Sequence, residues 1–202
     1  MAKLFKSEEG FTGLEAAIVL IAFVVVAAVF SYVVLGAGFF TTQKAQQVVY
    51  SSVDMASSSL EVLGDVYGNG TNSYIDGVRF VVGLTSGGSS VDFANTNLVF
   101  TNTTAIVDLI NSSKISSSGS VIDTLSDLQG GAPNTWGIID IANGDDGALL
   151  ENEEQFTIYA KLDSTAVAPN EEFTIEVKPP EGTTYAIKRG APAKIEKVNI
   201  LY

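Results

Sequence analysis

The chain has 202 residues, 46% of them hydrophobic, with a formal net charge of -12; that length admits a long helix and one globular domain of ordinary size. With no cysteine and no histidine, disulfides, thiolate zinc sites, cysteine nucleophiles and imidazole bases are excluded. Between Arg79 and Lys161 the only basic residue is Lys114, so there is no stripe to neutralise a phosphate backbone and no nucleic-acid partner is expected.

Residues 1 to 10, MAKLFKSEEG, are short and polar, and an apolar segment begins just after them. From Ala16 through Gln43, 28 positions carry no charge and are dominated by Ala, Val, Ile, Leu and Phe. A bilayer-spanning helix needs only roughly 20 such residues. Gly36-Ala37-Gly38 can be read as the small-residue cleavage site of an ordinary secretory signal. Against that reading, the apolar stretch exceeds a usual signal core. Ala45, Val48, Val49, Val53, Ala56, Leu60 and Leu63 also continue it at spacings of three and four, on one helical face. A single helix from about Thr12 to Leu63 is predicted, stopped at Gly64.

Glu15 stands at the start of the apolar run, where a carboxylate is costly in a membrane unless paired or near the headgroups. One reading is an acid favoured by the helix macrodipole. The other depends on processing: with a cut after Gly10, Phe11 carries a free ammonium and Glu15 becomes the fifth residue, a partner for a neighbouring copy's N-terminus.

The run Gly10-Phe11-Thr12-Gly13-Leu14-Glu15, followed by an unbroken apolar helix, resembles the processing site of type IV pilin-like proteins, which a membrane-embedded prepilin peptidase cuts after the glycine. AAIVLIAFVVVAAVFSYVVLGAGFFTTQKAQQVV is similar to the helix of archaellins, the archaeal flagellins. Further along, Trp136-Gly137-Ile138, ENEEQFTIYAKL, FTIEVKPPEG and the terminal Val198 to Tyr202 resemble the same family, whereas residues 65 to 130 carry no such motif. Glu8-Glu9 departs from the basic residue common in archaellin leaders. The resemblance implies a class III signal peptide at 1–10, a hydrophobic core helix at 11–64 and an outer domain at 65–202.

After Gly64 the composition shifts to Gly, Ser, Thr and Asn between short alternating runs, the signature of strands and turns. Strands are predicted at Tyr74 to Leu84, Val91 to Phe93, Asn97 to Thr101, Thr135 to Ile141, Glu154 to Leu162, Glu172 to Lys178, Thr183 to Lys188 and Lys194 to Ile200. The fold class is therefore α+β, a long hydrophobic helix followed by an antiparallel β-sandwich of immunoglobulin-like size. Trp136, the single tryptophan, is assigned to the core. Pro179-Pro180 closes one strand and reads as structural.

Sequons occur at Asn69, Asn102 and Asn111, in Ser/Thr/Asn-rich stretches expected at the surface. Chance matches are common in such a composition, while the resemblance to archaellins, often N-glycosylated, favours use of at least one. Asp140 to Glu154 holds Asp140, Asp145, Asp146, Glu151, Glu153 and Glu154, hard oxygen ligands of the type calcium prefers. Asn143, Asp145 and Glu154 fit EF-hand positions one, three and twelve, but Ala148 stands where glycine is required. The segment reads as a solvated acidic turn, with metal binding left open.

A helix apolar on all sides must be buried in lipid or among copies of itself. At roughly 25 cal/mol per Å², burying a dozen large side chains yields tens of kcal/mol gross. Ala16, Ala17, Ala22, Gly36 and Gly38 permit close helix approach. The expected function is a structural, non-enzymatic subunit that polymerises through its helix into the archaellum for swimming, without a cofactor. Its precursor is expected in the cytoplasmic membrane, and the partners implied are the prepilin peptidase, the archaellum membrane platform and the secretion ATPase. An adhesive pilin of the same superfamily, and a membrane-anchored ectodomain that never polymerises, are the competing readings.

Overall fold

The computed structural model describes residues 5–71, 73–112, 123–145, 147–164 and 166–202, apart from the side chains of residues 5–12, 54, 56 and 57. It divides into two compact units that meet at Ser51/Ser52. The first is carried by helix α1 (Phe5–Ser57), 53 residues long, or about 80 Å at 1.5 Å per residue. No proline interrupts it, since the first in the chain is Pro133.

The expected continuation of this helix to Leu63 is not found. Ser58 and Ser59 lie where it ends, and serine hydroxyls compete with the helical ladder for backbone groups. The Ser58 carbonyl accepts from the Thr183 N–H at 3.3 Å, and the Ser59 hydroxyl meets that of Thr85 at 2.8 Å. Leu60–Val62 is instead strand β1, with Leu60 buried. The spacing Ala56, Leu60, Leu63 fits a helix, but apolar-acid-apolar at 60–62 fits a strand equally well, and pairing with β3 decides it. Gly64, expected to stop the helix, lies two residues beyond that strand at φ 76°.

The remaining elements are β2 (Val66–Thr71), β3 (Tyr74–Leu84), β4 (Val91–Asp92), β5 (Asn97–Thr101), β6 (Ile106–Asn111), α2 (Leu125–Gly130) and β7 (Thr135–Ala142). They continue with β8 (Leu149–Leu150), β9 (Gln155–Lys161), β10 (Glu172–Lys178), β11 (Tyr185–Gly190) and β12 (Val198–Leu201). A ten-stranded sheet runs β11-β10-β5-β6-β7-β9-β3-β2-β12, with β1 on β3, and β4 pairs separately with β8. All its pairs are antiparallel except β6 with β7. The predicted antiparallel β domain is therefore present, although its immunoglobulin likeness is approximate: one continuous path of nine strands, with β1 beside it, replaces two separate sheets.

One buried cluster draws on both arms of this path, with Phe80, Val82 and Phe156 from one and Phe100, Phe173 and Ile175 from the other. An apolar sheet face needs cover, and the two arms supply it for each other. Trp136 is in this core. Phe93 stands edge-on to Trp136 at 6.4 Å between centroids and to Phe156 at 5.3 Å, the geometry that ring quadrupoles favour.

The outward face of β2, β3, β9 and β7 is polar and partly roofed by α2, whose N-cap Thr124 accepts from the Asp127 N–H. Tyr159 is 2% exposed there, and its hydroxyl has no hydrogen-bond partner. Gly77 makes room for it, because a methyl group at that position would overlap the phenol. Beside it, the Lys161 ammonium pairs with the Asp76 carboxylate at 3.0 Å, both largely buried. Burial, then the Asp76 charge, pushes the Tyr159 phenol up to about 12, while the nearby amides of Asn69 and Gln129 oppose the shift without making bonds of normal geometry.

A raised pKa keeps Tyr159 neutral in the folded state after it ionises in the unfolded chain. Its contribution is thus intact below pH 10 and is lost as pH rises from there towards 12, a loss of about 2 kcal/mol. Tyr159→Phe should flatten stability against pH across that window, as measured by denaturant unfolding of the detergent-solubilised subunit monitored by Trp136 fluorescence.

Candidate functional site

Every side chain from Gly13 to Val53 is exposed. Large apolar groups recur on all sides of the helix: the consecutive Ile18, Val19, Leu20 and Ile21, which point in four successive directions around the axis, are 59%, 56%, 66% and 61% exposed. This 41-residue span has a peak mean hydropathy of 3.0 and measures about 60 Å, twice the roughly 30 Å hydrocarbon core of a bilayer. Lipid alone therefore covers about half of it. The remainder needs another apolar environment, and identical helices side by side provide one.

Several polar groups inside the span bond within the helix. Thr41 Oγ1 donates to the Ala37 carbonyl at 2.8 Å, and Thr42 Oγ1 to that of Gly38 at 2.9 Å. Lower down, Lys44 Nζ donates to Gln47 Oε1 at 3.0 Å and Ser51 Oγ to the Val48 carbonyl. These hydroxyls can enter an apolar contact without an unpaired donor, which would otherwise cost about 1–3 kcal/mol each. Their role was not singled out from sequence, where the available signal was two threonines placed four residues after Ala37 and Gly38.

Gly10 and Phe11 lie within the α1 backbone, and their side chains are outside those described. Glu15 is exposed and ten residues past the helix start at Phe5. That is beyond the first turn, to which macrodipole stabilisation is confined. Among the described residues it forms no ion pair.

The three sequons differ more than their surroundings in sequence suggest. Asn69 is half-buried in β2 and lines a cavity of about 100 Å³ with Tyr67, Arg79, Gln129 and Tyr159. Asn102 is half-buried in the turn between β5 and β6. Its Nδ2 donates to the Ala166 carbonyl at 2.8 Å, and its Oδ1 accepts from the N–H groups of Thr104 and Ala105. The same turn is held by Glu171, which accepts from the Ala168 N–H and the Thr103 hydroxyl. Those two bonds hold its carboxyl below the usual carboxylate range.

Asn111 corrects the expectation of a surface position: it is 8% exposed at the end of β6, with Nδ2 3.4 Å from the Phe93 carbonyl. Its sequon partner Ser113 lies outside the described residues.

In the acidic segment, Glu154 is buried and closes the loop between β7 and β9. Its two carboxylate oxygens accept from the N–H groups of Asp145 and Glu151. Asp140, Asp145, Glu151 and Glu153 are exposed, and Asp146 lies outside the described residues. No group of three carboxylates gathers around a common point among the described residues.

Together, a helix apolar on every side and a β domain with its own core define a subunit whose helix requires an apolar partner. The archaeal-type flagellin family model matches residues 10–189. Probable flagellin 1 of Archaeoglobus fulgidus is 41% identical, with 98% of each chain covered. A 32-residue stretch of the 24 kDa flagellin of Methanospirillum hungatei is 91% identical to 16% of this chain. Among solved structures, the archaeal flagellum of Methanospirillum hungatei strain JF1 superposes with a TM-score of 0.70 at 29% identity, over 94% of this chain and 99% of that one.

The chain belongs to the archaeal-type flagellin family. It is a structural subunit of the archaellum, a filament at the cell surface, and the adhesive-pilin reading is not favoured.

The geometry separates the sequons by a measurable outcome. A glycan on Nδ2 needs its asparagine at the surface, so intact-mass and peptide mass spectrometry of purified filaments should find Asn111 unmodified. Where glycan occurs it should be on Asn102, whose turn is exposed at Thr103 and Thr104.

Proposed function

We propose that residues 1–10 are a leader removed after Gly10 by a membrane prepilin peptidase, and that the precursor waits in the cytoplasmic membrane with its helix in lipid. The membrane platform and secretion ATPase of the archaellum then transfer the helix from lipid into the base of the growing filament. Residues 11–57 form the filament's interior, and the domain from Leu60 onward faces the medium. The observation that supports this reading is the exposed apolar helix, twice as long as lipid alone can cover.

Processing would supply the partner that Glu15 lacks. Cutting after Gly10 leaves an ammonium on Phe11, and a carboxylate four residues along the helix can pair with the ammonium of a neighbouring copy. In an apolar interior such a pair holds register, because an unpaired charge there costs several kcal/mol. The subunit itself carries out no chemistry. Energy for export comes from the ATPase and torque from the motor at the base.

Two substitutions separate these steps. Gly10→Val should leave an uncleaved precursor in the membrane fraction, with no filaments in electron micrographs and no swimming. Glu15→Ala should be cleaved normally yet yield few filaments. Normal filaments from Gly10→Val would rule out the leader, and normal filaments from Glu15→Ala would rule out the pairing.

A further inference from the structure

On the outward face of β12, exposed apolar groups lie beside cationic ones. Val198, Ile200 and Tyr202 alternate along it, 64%, 40% and 86% exposed, while Leu201 between them is in the core. Register carries the surface across the sheet, since Ile200 lies opposite Tyr67 and Tyr67 opposite Arg79. The Arg79 guanidinium sits 5.0 Å from the centre of the Tyr67 ring, and neither Arg79 nor Lys197 forms an ion pair among the described residues. Aromatic and Arg side chains beside exposed aliphatic ones are the composition of an interface core.

The complementary surface is on the same chain. Leu149 is 42% exposed between Asp140 and Asp145 on one side and Glu151 and Glu153 on the other, and none of these acids is ion-paired among the described residues. One copy cannot join its own two surfaces, because β9, β3 and β2 lie between β7 and β12, a separation of about 19 Å at the usual strand spacing. Two different patches that meet only between copies make a heterologous contact, which propagates as a helical polymer when it does not close.

We propose that the β12 face, with Val198, Ile200, Tyr67 and Arg79, docks a second copy of this chain through the acidic loop around Leu149. This contact rests on the filament reading and adds a second layer to it. The helices provide cohesion, and the outer domains are held in register by pairing the cationic face with the most acidic loop. In a chain of net charge -12, that pairing also relieves the repulsion that close-packed copies otherwise accumulate.

The chain has no cysteine of its own, so a pair of introduced ones reports the contact directly. Filaments of the Val198→Cys, Leu149→Cys double variant should give, on mild oxidation, a ladder of disulfide-linked subunits in denaturing gels, and filaments of each single variant should give none. Intact filaments of the double variant without a ladder would overturn the proposal, as would linkage of Val198→Cys to a different protein. Charge exchange is the second test. Arg79→Glu with Lys197→Glu, or Glu151→Lys with Glu153→Lys, should each lower filament yield about tenfold or more by setting like charges together, and the two sets combined should restore it. Full yield from either set, or no recovery on combining them, would also overturn it. Failure of the wild-type chain to polymerise at all would instead count against the filament reading.

Discussion

A helix whose apolar surface goes all the way round has no orientation in which water is tolerable, and the rest of this molecule follows from that constraint. An amphipathic helix finishes its burial by lying on its own domain. This one, with the consecutive Ile18, Val19, Leu20 and Ile21 on successive sides and all strongly exposed, has no polar side to turn outward. Burying even a dozen of its large residues is worth tens of kcal/mol at about 1.5–3 kcal/mol each, several times the stability of an ordinary domain. The surroundings that can supply this burial are lipid and other copies of the helix. A protein that spends part of its life in each can be stored in a membrane and then built into a filament.

The β domain has to be stable under the opposite demand, since it faces water while anchored to an insoluble helix. Its core is closed by the two arms of one sheet, around Trp136, Phe93 and Phe156. Polar groups trapped at its edges are tied down by internal partners, as with Asp76 to Lys161 and Glu154 to two backbone N–H groups. Among the described residues three buried atoms have no partner: the Tyr159 hydroxyl, Trp136 Nε1 and the second Asp76 oxygen, Oδ1. For Tyr159 a further cost arises at alkaline pH, where ionisation would have to occur in a buried place. Acid acts at the other side of the domain. Glu171 loses its stabilising bonds only as pH falls through its lowered pKa, and its contribution is present above the usual carboxylate range.

Much of this was legible beforehand, and the reasons differ by segment. Absence of charge from Ala16 to Gln43 leaves little choice of environment, so the helix and its role follow from composition. Strands β3, β5 and β10 are runs of five residues or more rich in apolar residues between turn signals, β10 with strict alternation, and their predicted bounds match. By contrast, Val66 to Thr71 contains two glycines and an asparagine and looks like a turn; it becomes β2 because β3 and β12 pair with it on both sides, a tertiary effect that local propensity does not contain. Strand β6 was hidden in the same way within sequon-rich sequence, and α2 is only six residues long. The helix end was misplaced because Leu60 and Leu63 satisfy both periods. Burial of Asn111 could not be foreseen, because a sequon records residue types and says nothing of which strand edge it terminates.

Whether the helix is buried among copies, in the absence of lipid, decides the account. The direct measurement is thiol labelling of lipid-free filaments carrying Val25→Cys, beside filaments carrying Glu153→Cys as an exposed reference. The account predicts that the thiol at position 25 is inert in intact filaments and reacts once they are dissociated, while that at position 153 reacts in both. Labelling of position 25 in intact filaments at the rate of the reference would contradict it.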